Sequence, residues 1–411
     1  MGRTFTTLDR RHFLRGIGLA AVAAGAGLPG IGSRLAWAAQ RNDDALISNR
    51  PLVRYPEKTD LILLTSRPPQ LETPMKYFES AITPNEAFYV RYHTYPPTDI
   101  KLSTWRLRIG GNVERPLELS MEELQGRFPS ASVVAVNQCS GNSRGYSSPR
   151  VFGGQWANGA MGNAEWTGVP LRDILAMAGV KAGSVEVTFR GLDRPPMPTI
   201  FNFVKSLSVA RIMEDSNVLV AYRMNGQPLP VLNGFPARLV VPGWYATYWV
   251  KNLSDITVLD REFDGFWMKR AYLIPDTPCG CVEPGTVPAG TVPTSRMNVR
   301  SFITSPRDGA RVGAGSAVNV KGIAFDGGQG IESVMLSWDG GETWRRVQLG
   351  RDLGNYSFRE WSYAWTPPAR GSYRLMVRAV NRIGESQPAA AGFNPSGYLR
   401  NVIEQIDVAA T

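Results

Sequence analysis

Apolar and polar positions alternate in two early stretches, NEAFYVRYH (Asn85–His93) and STWRLRIGG (Ser103–Gly111), which predicts strands. LSMEELQGRFP places Ser120 three residues before Glu123, the reciprocal capping pattern that opens a short helix. SASVVAVNQC is a continuous run of small apolar residues and predicts a buried strand ending at Cys139. VPLRDILAMAGV (Val169–Val180) has helical spacing and stops at Gly179, whereas SVEVTFRG and RLVVPGWYATYWVKNLSDITVLD alternate as strands. Helices and strands mix without repeating as βαβ units, so the expected class is α+β. No glycine-rich phosphate fingerprint joins a strand to a helix, which argues against a dinucleotide fold.

The flanks read differently. Gln40 to about Ser80 is rich in proline and charge and predicts an extended arm with few regular elements. PDTPCGCVEPGTVPAGTVPT, from Pro275 to Thr294, reads as a linker. Beyond it, short β-patterned segments between turn signals such as Asp339-Gly340-Gly341 predict an immunoglobulin-like β-sandwich over 295–411, without a cysteine pair of the antibody kind. The expected order is therefore a leader over 1–38, a first domain over 39–280 and the sandwich.

The leader changes the picture of charge. Arg10-Arg11, followed by Phe13-Leu14, a glycine-rich apolar run and Ala36-Trp37-Ala38, reads as a twin-arginine export signal with its cleavage site. Export of an already folded protein implies periplasmic location and a cofactor inserted beforehand. The run from Gly16 to Gly32 is too short and glycine-rich for a membrane span. Five arginines against one aspartate in the leader account for part of the formal charge of +10. The basic remainder, with no lysine- or arginine-rich tract, points to an anionic ligand rather than nucleic acid.

Three cysteines and two histidines narrow the chemistry further. Cys279-Gly280-Cys281 is too tight for a zinc knuckle and lacks a second pair, and is expected to be two free loop thiols. His12 leaves with the leader, so His93 alone remains. That count excludes bis-histidine haem, and the lack of C-x-x-C-H excludes covalent haem, so no haem is expected in this chain. A cysteine protease would need His93, yet nothing around Cys139 resembles a protease signature. Cys139 runs into Gly141, Asn142 and Arg144, which local chemistry leaves open between metal ligand, nucleophile and core filler.

QCSGNSR, with FYVRYH upstream, resembles the sulfite oxidase family of molybdopterin enzymes. LVAYRMNGQPLPVLNGFPARLVVPG (Leu219–Gly243), WVKNLSDITV and SWDGGETWRRVQL extend that resemblance over about Arg54 to Val408. The resemblance implies molybdenum held by the pterin dithiolene and by the Cys139 thiolate, a soft ligand suited to such a metal. It implies that Arg91, Arg144 and Arg359, the last from the sandwich, bind an oxyanion with their planar forks. It also assigns Tyr272 to the active site and Trp156 to the pocket wall, and it places Asn142 in the cofactor-binding Q-C-x-G-N loop. His93, Arg238 and Lys251 are assigned to the pterin. Asn233 stands where vertebrate members have histidine.

The activity so implied is a periplasmic sulfite dehydrogenase that passes electrons to an external c-type cytochrome. Homodimerisation through the sandwich, or pairing with a cytochrome subunit, is the implied assembly. The alternatives are a related molybdoenzyme with another sulfur substrate, either a sulfane dehydrogenase subunit or a sulfoxide reductase, and a non-enzymatic exported binding protein.

Overall fold

The computed structural model describes residues 49–411; the twin-arginine leader lies outside the described residues. The described residues belong to one compact unit. The first half is built on two five-stranded sheets. One is mixed: Leu253–Leu259 runs parallel to Leu107–Gly111 and antiparallel to Glu186–Gly191, with Val204–Ser208 and Leu117–Leu119 at its edges. The other is antiparallel and pairs Ala131–Gln138 with the ten-residue strand Met161–Pro170, which in turn pairs Leu219–Met224. Helices cover these sheets, as the α+β pattern requires. Leu171–Ala178 buries Leu171, Ile174, Leu175 and Ala178 and ends where Gly179 turns left-handed at φ 71. Met121–Gly126 carries the capping box of Ser120 and Glu123.

The second half is a β-sandwich of a four-stranded sheet, including Arg300–Ser305, Val318–Phe325 and Arg359–Trp365, and a five-stranded sheet that includes Ile331–Ser337, Gly371–Asn381 and Glu404–Ala410. Trp361 and Trp365 sit in its core. The two halves share a third cluster, in which Phe78, Val136 and Met161 meet Phe302, Ile323 and Phe358. A buried ion pair between Arg300 and Glu404, at 2.7 Å, also reaches Ser143 and Asn158 beside the Cys139 loop.

Three expectations need correction. The proline-rich arm is not irregular: Leu52–Arg54, Asp60–Ser66 and Pro69–Glu72 form an antiparallel sheet closed by Val90–Arg91. The apolar run in DLILLTS buries the adjacent Leu61 and Ile62, while Pro56 and Pro68 fall in turns and Pro69 opens the next strand. The Pro275–Thr294 stretch is likewise a hairpin, with Leu273–Pro275 paired to Thr291–Pro293. Its tip carries a Cys279–Cys281 disulfide in place of the two free thiols expected. Gly280, at φ 60, lets the chain turn between the two cysteines, whose Cα atoms lie 5.1 Å apart, within the ordinary span of a disulfide. Among the described residues no helix is long and apolar enough to cross a membrane.

Candidate functional site

Register delivers the central cysteine. Gln138 pairs with Met161, and the Cys139 amide then bonds the Ala160 carbonyl at 2.9 Å, so the thiol is fixed at the strand's end. Asn142 holds the following loop in place. Its amide nitrogen donates to the Asn158 carbonyl, and its side-chain oxygen accepts from the Ala160 amide, so it shapes the loop rather than projecting from it. Gly141 leaves room there for the Arg144 guanidinium, which a Cβ would approach to 2.5 Å and displace. Arg144 therefore folds back, donating from Nε to the Ser396 carbonyl and lying 5.0 Å over the Tyr398 ring.

Cys139 lines a cavity that encloses about 640 Å³ of space unfilled by protein atoms, its mouth to solvent included. Three cationic side chains, Arg91, Arg238 and Lys251, face it, and Asp193 is the one carboxylate on its wall. Asp193 is already engaged by the Thr94 hydroxyl. Arg238 donates to the Asn233 and Trp249 carbonyls and packs 4.9 Å over Trp166. Lys251 donates to the Arg91 carbonyl and lies 3.4 Å above the Tyr92 ring. Burial, and then the neighbouring Arg238, hold the Lys251 ammonium well below the usual lysine range; burial lowers Arg238 to about 10.

Four wall residues carry buried polar atoms with no protein partner: Asn137 Nδ2, Ser140 Oγ, Arg238 Nε and Thr247 Oγ1. Buried polar groups are almost always bonded, and buried charges almost always paired. Unmatched cations beside unmatched donors describe a site built for an anionic ligand rich in hydrogen-bonding atoms.

His93 and Tyr272 form the other wall. Burial, then Arg91 and Lys251, keep His93 far below its ordinary range, while burial raises the Tyr272 phenol. The Nε2 of this neutral imidazole is hydrogen-bonded to the Tyr272 hydroxyl. Phe203 stacks on His93 at 4.4 Å, and Tyr398 stacks on Tyr272 at 5.4 Å. Tyr272 has a left-handed backbone at φ 60, anchored by the Thr294 amide on its carbonyl; such strain in a non-glycine residue concentrates at functional sites. Arg91, Cys139 and Arg144 all act electrostatically on its phenol.

Four predicted site residues do not line the cavity: Asn142 and Arg144, which brace the loop after Cys139, and Trp156 and Arg359. Trp156 is fully buried behind the wall, edge-on to Tyr89 at 6.4 Å, and supports that wall residue instead of forming the surface. Arg359 turns its guanidinium to Asp352 and to the Gly350 carbonyl, within the sandwich. The sandwich half reaches the site by another route, the loop carrying Ser396 and Tyr398. Sequence reading also missed Lys58 and Lys205. Lys58 donates to Asn233, the residue in the histidine position, and Lys205 donates to the Trp267 carbonyl 5.4 Å from the Tyr272 ring.

Burial lowers both Lys58 and Lys205 to about 7. Below that pH the folded and unfolded states both hold the proton. Between there and the ordinary lysine value of 10.5 only the unfolded state does, so stability rises with pH. Urea unfolding of the ligand-free protein is expected to give a higher free energy at pH 9.5 than at pH 7.5. The slope is up to about 1.4 kcal/mol per pH unit for each lysine; a flat or falling profile would refute this burial.

Comparison with known proteins bears on the same residues. The family described as oxidoreductase molybdopterin binding domain matches residues 93–267, and that described as Mo-co oxidoreductase dimerisation domain matches residues 292–410. The chain is 34% identical to the mitochondrial sulfite oxidase of Rattus norvegicus over 378 residues, 88% of this chain and 67% of that one. It is 35% identical to the sulfite oxidase of Gallus gallus over 85% of this chain and 77% of that one. The human mitochondrial enzyme is covered over 63% of its length, so the chain spans about two thirds of its mammalian relatives. Among solved structures it is similar to the sulfane dehydrogenase SoxCD of Paracoccus pantotrophus, at 26% identity and a TM-score of 0.71, over 96% of this chain and 93% of that one.

Proposed function

This chain belongs to the sulfite oxidase family of molybdopterin oxidoreductases, and from that membership we propose that it oxidises sulfite to sulfate as a periplasmic dehydrogenase. The single observation that carries the reading is the cavity that joins a strand-end thiol to unmatched cations and unmatched donors. Those residues fit molybdopterin. Cys139 offers the soft thiolate for the metal, and Arg238 and Lys251 offer charge for the pterin phosphate. Asn137, Ser140 and Thr247 offer bonds to the heterocycle. When bound, the cofactor supplies two-electron oxygen-atom chemistry.

The protein's own part is to bind, orient and hold protons. Arg91 from the cavity wall, and Arg144 from the loop beside it, supply guanidinium charge to a small multiply charged oxyanion. The neutral His93 keeps the Tyr272 hydroxyl aligned and is placed to take a proton at Nε2. Phe203, Trp249 and Tyr398 wall these groups from bulk water and strengthen each charge interaction inside. His93 is committed to Tyr272 and Phe203, and in this reading electrons pass to a separate c-type cytochrome.

A second reading, oxidation of a sulfane substrate, is favoured by the whole-length likeness to the sulfane dehydrogenase. Reduction of a c-type cytochrome with sulfite as sole donor decides between them. Sulfite-dependent reduction is expected, and reduction only with a sulfane donor would replace the first reading by the second.

A further inference from the structure

The Cys279–Cys281 pair, which falls between the two matched family segments, connects physically to the substrate side of the site. At the hairpin tip, the Thr277 hydroxyl accepts from the Cys281 amide and donates to the Cys281 carbonyl. Cys281 packs so closely on Gly392 that a Cβ there would come within 2.9 Å of it. The next amide, that of Val282, donates to the Phe393 carbonyl at 2.8 Å. Asn394 then closes a tight turn, accepting from the Ser396 and Tyr398 amides and donating to the Tyr398 carbonyl.

This turn does three things at the site. Its Ser396 carbonyl receives Arg144 Nε at 2.9 Å. Its Tyr398 ring lies under the Arg144 guanidinium at 5.0 Å and stacks on Tyr272 at 5.4 Å. Its Leu399 amide bonds the Ser140 carbonyl at 3.0 Å, next to Cys139. Cys279, Gly392, Asn394 and Tyr398 line a shared groove of about 1080 Å³, mouth included, on the far side of this wall from the cavity.

We propose that the Cys279–Cys281 disulfide and Tyr398 are positioning groups for the oxyanion site, the disulfide clamping the 392–398 turn that holds Arg144 and Tyr272. The proposal rests on the sulfite reading. Cys279 is exposed, so the clamp is open to a dithiol reductant. A reductant thiolate attacks Cys279 Sγ and Cys281 leaves as a thiol. The reductant's second thiol then displaces Cys279, so two electrons and two protons pass to the protein and the reductant departs as its own disulfide.

The test uses the cofactor-loaded full chain with Cys279→Ser/Cys281→Ser, compared with wild type before and after dithiothreitol. KM for sulfite is expected to rise about 10-fold in the double variant, with kcat within about twofold and molybdenum content unchanged. Amide hydrogen exchange at Ser396 and Tyr398 is expected to accelerate about 10-fold. Dithiothreitol should bring wild type to the same values and leave the double variant unmoved. Tyr398→Ala should reproduce the KM rise and Tyr398→Phe, which keeps the ring, should not. Unchanged exchange in the double variant overturns the clamp, and faster exchange with an unmoved KM overturns its link to the oxyanion. If wild type turns over no sulfite, the sulfite reading falls. Exchange then still decides the clamp: acceleration supports it, and no change overturns it.

Discussion

Cys139→Ser is expected to leave a folded chain whose turnover falls by more than about 100-fold, since changes one shell further from a metal already cost 10- to 100-fold. The exchange keeps the volume and swaps a thiol for a hydroxyl at a strand end whose backbone is fixed by Gln138–Met161 pairing and the Ala160 carbonyl. Unfolding free energy should therefore change by less than about 1 kcal/mol. Serine cannot offer a soft, polarisable sulfur, and its hydroxyl does not ionise near neutral pH. The check is kcat per bound molybdenum alongside urea unfolding. Turnover near wild type, with the metal retained, would remove Cys139 from the metal site.

Lys251→Met should separate holding the cofactor from holding the fold. Lysine at this position faces the cavity with Arg238 as neighbour, and burial disfavours its charge. Methionine fills a similar volume over the Tyr92 ring, where the lysine nitrogen now lies, and removes that burden, so the cofactor-free variant is expected to be at least as stable as wild type in urea. Cofactor affinity is expected to fall about 10- to 100-fold, the loss of a charge-assisted bond to phosphate. Molybdenum and pterin content per chain measure it. Full content in the variant would mean that the lysine serves another purpose.

Much of this site was legible because it sits on short-range pattern. The buried run ending at Cys139, the glycine that lets Arg144 fold back and the helix closing at Gly179 each follow from a few adjacent residues. Arg91, His93, Arg238 and Lys251 were found through motifs, and all four line one cavity. What escaped depends on contacts between distant segments. No local pattern marks Lys58 and Lys205, and only the packing of segments far apart in sequence buries them. Tyr398 lies in an irregular stretch with no periodicity to mark it. Arg359 shows the reverse error: its motif pointed to the oxyanion, yet Asp352 and the Gly350 carbonyl hold its guanidinium elsewhere. In the arm, proline density masked the apolar run of Asp60–Ser66, because prolines at turns and prolines in coil look alike without their partners.

The measurement that tests the central claim most directly is sulfate formed per bound molybdenum when the oxidised, loaded protein meets sulfite without oxygen or any electron acceptor. One sulfate per molybdenum is expected, since each site can take up two electrons before it must pass them on. No sulfate above a Cys139→Ser control would contradict the assignment of this cavity to sulfite oxidation.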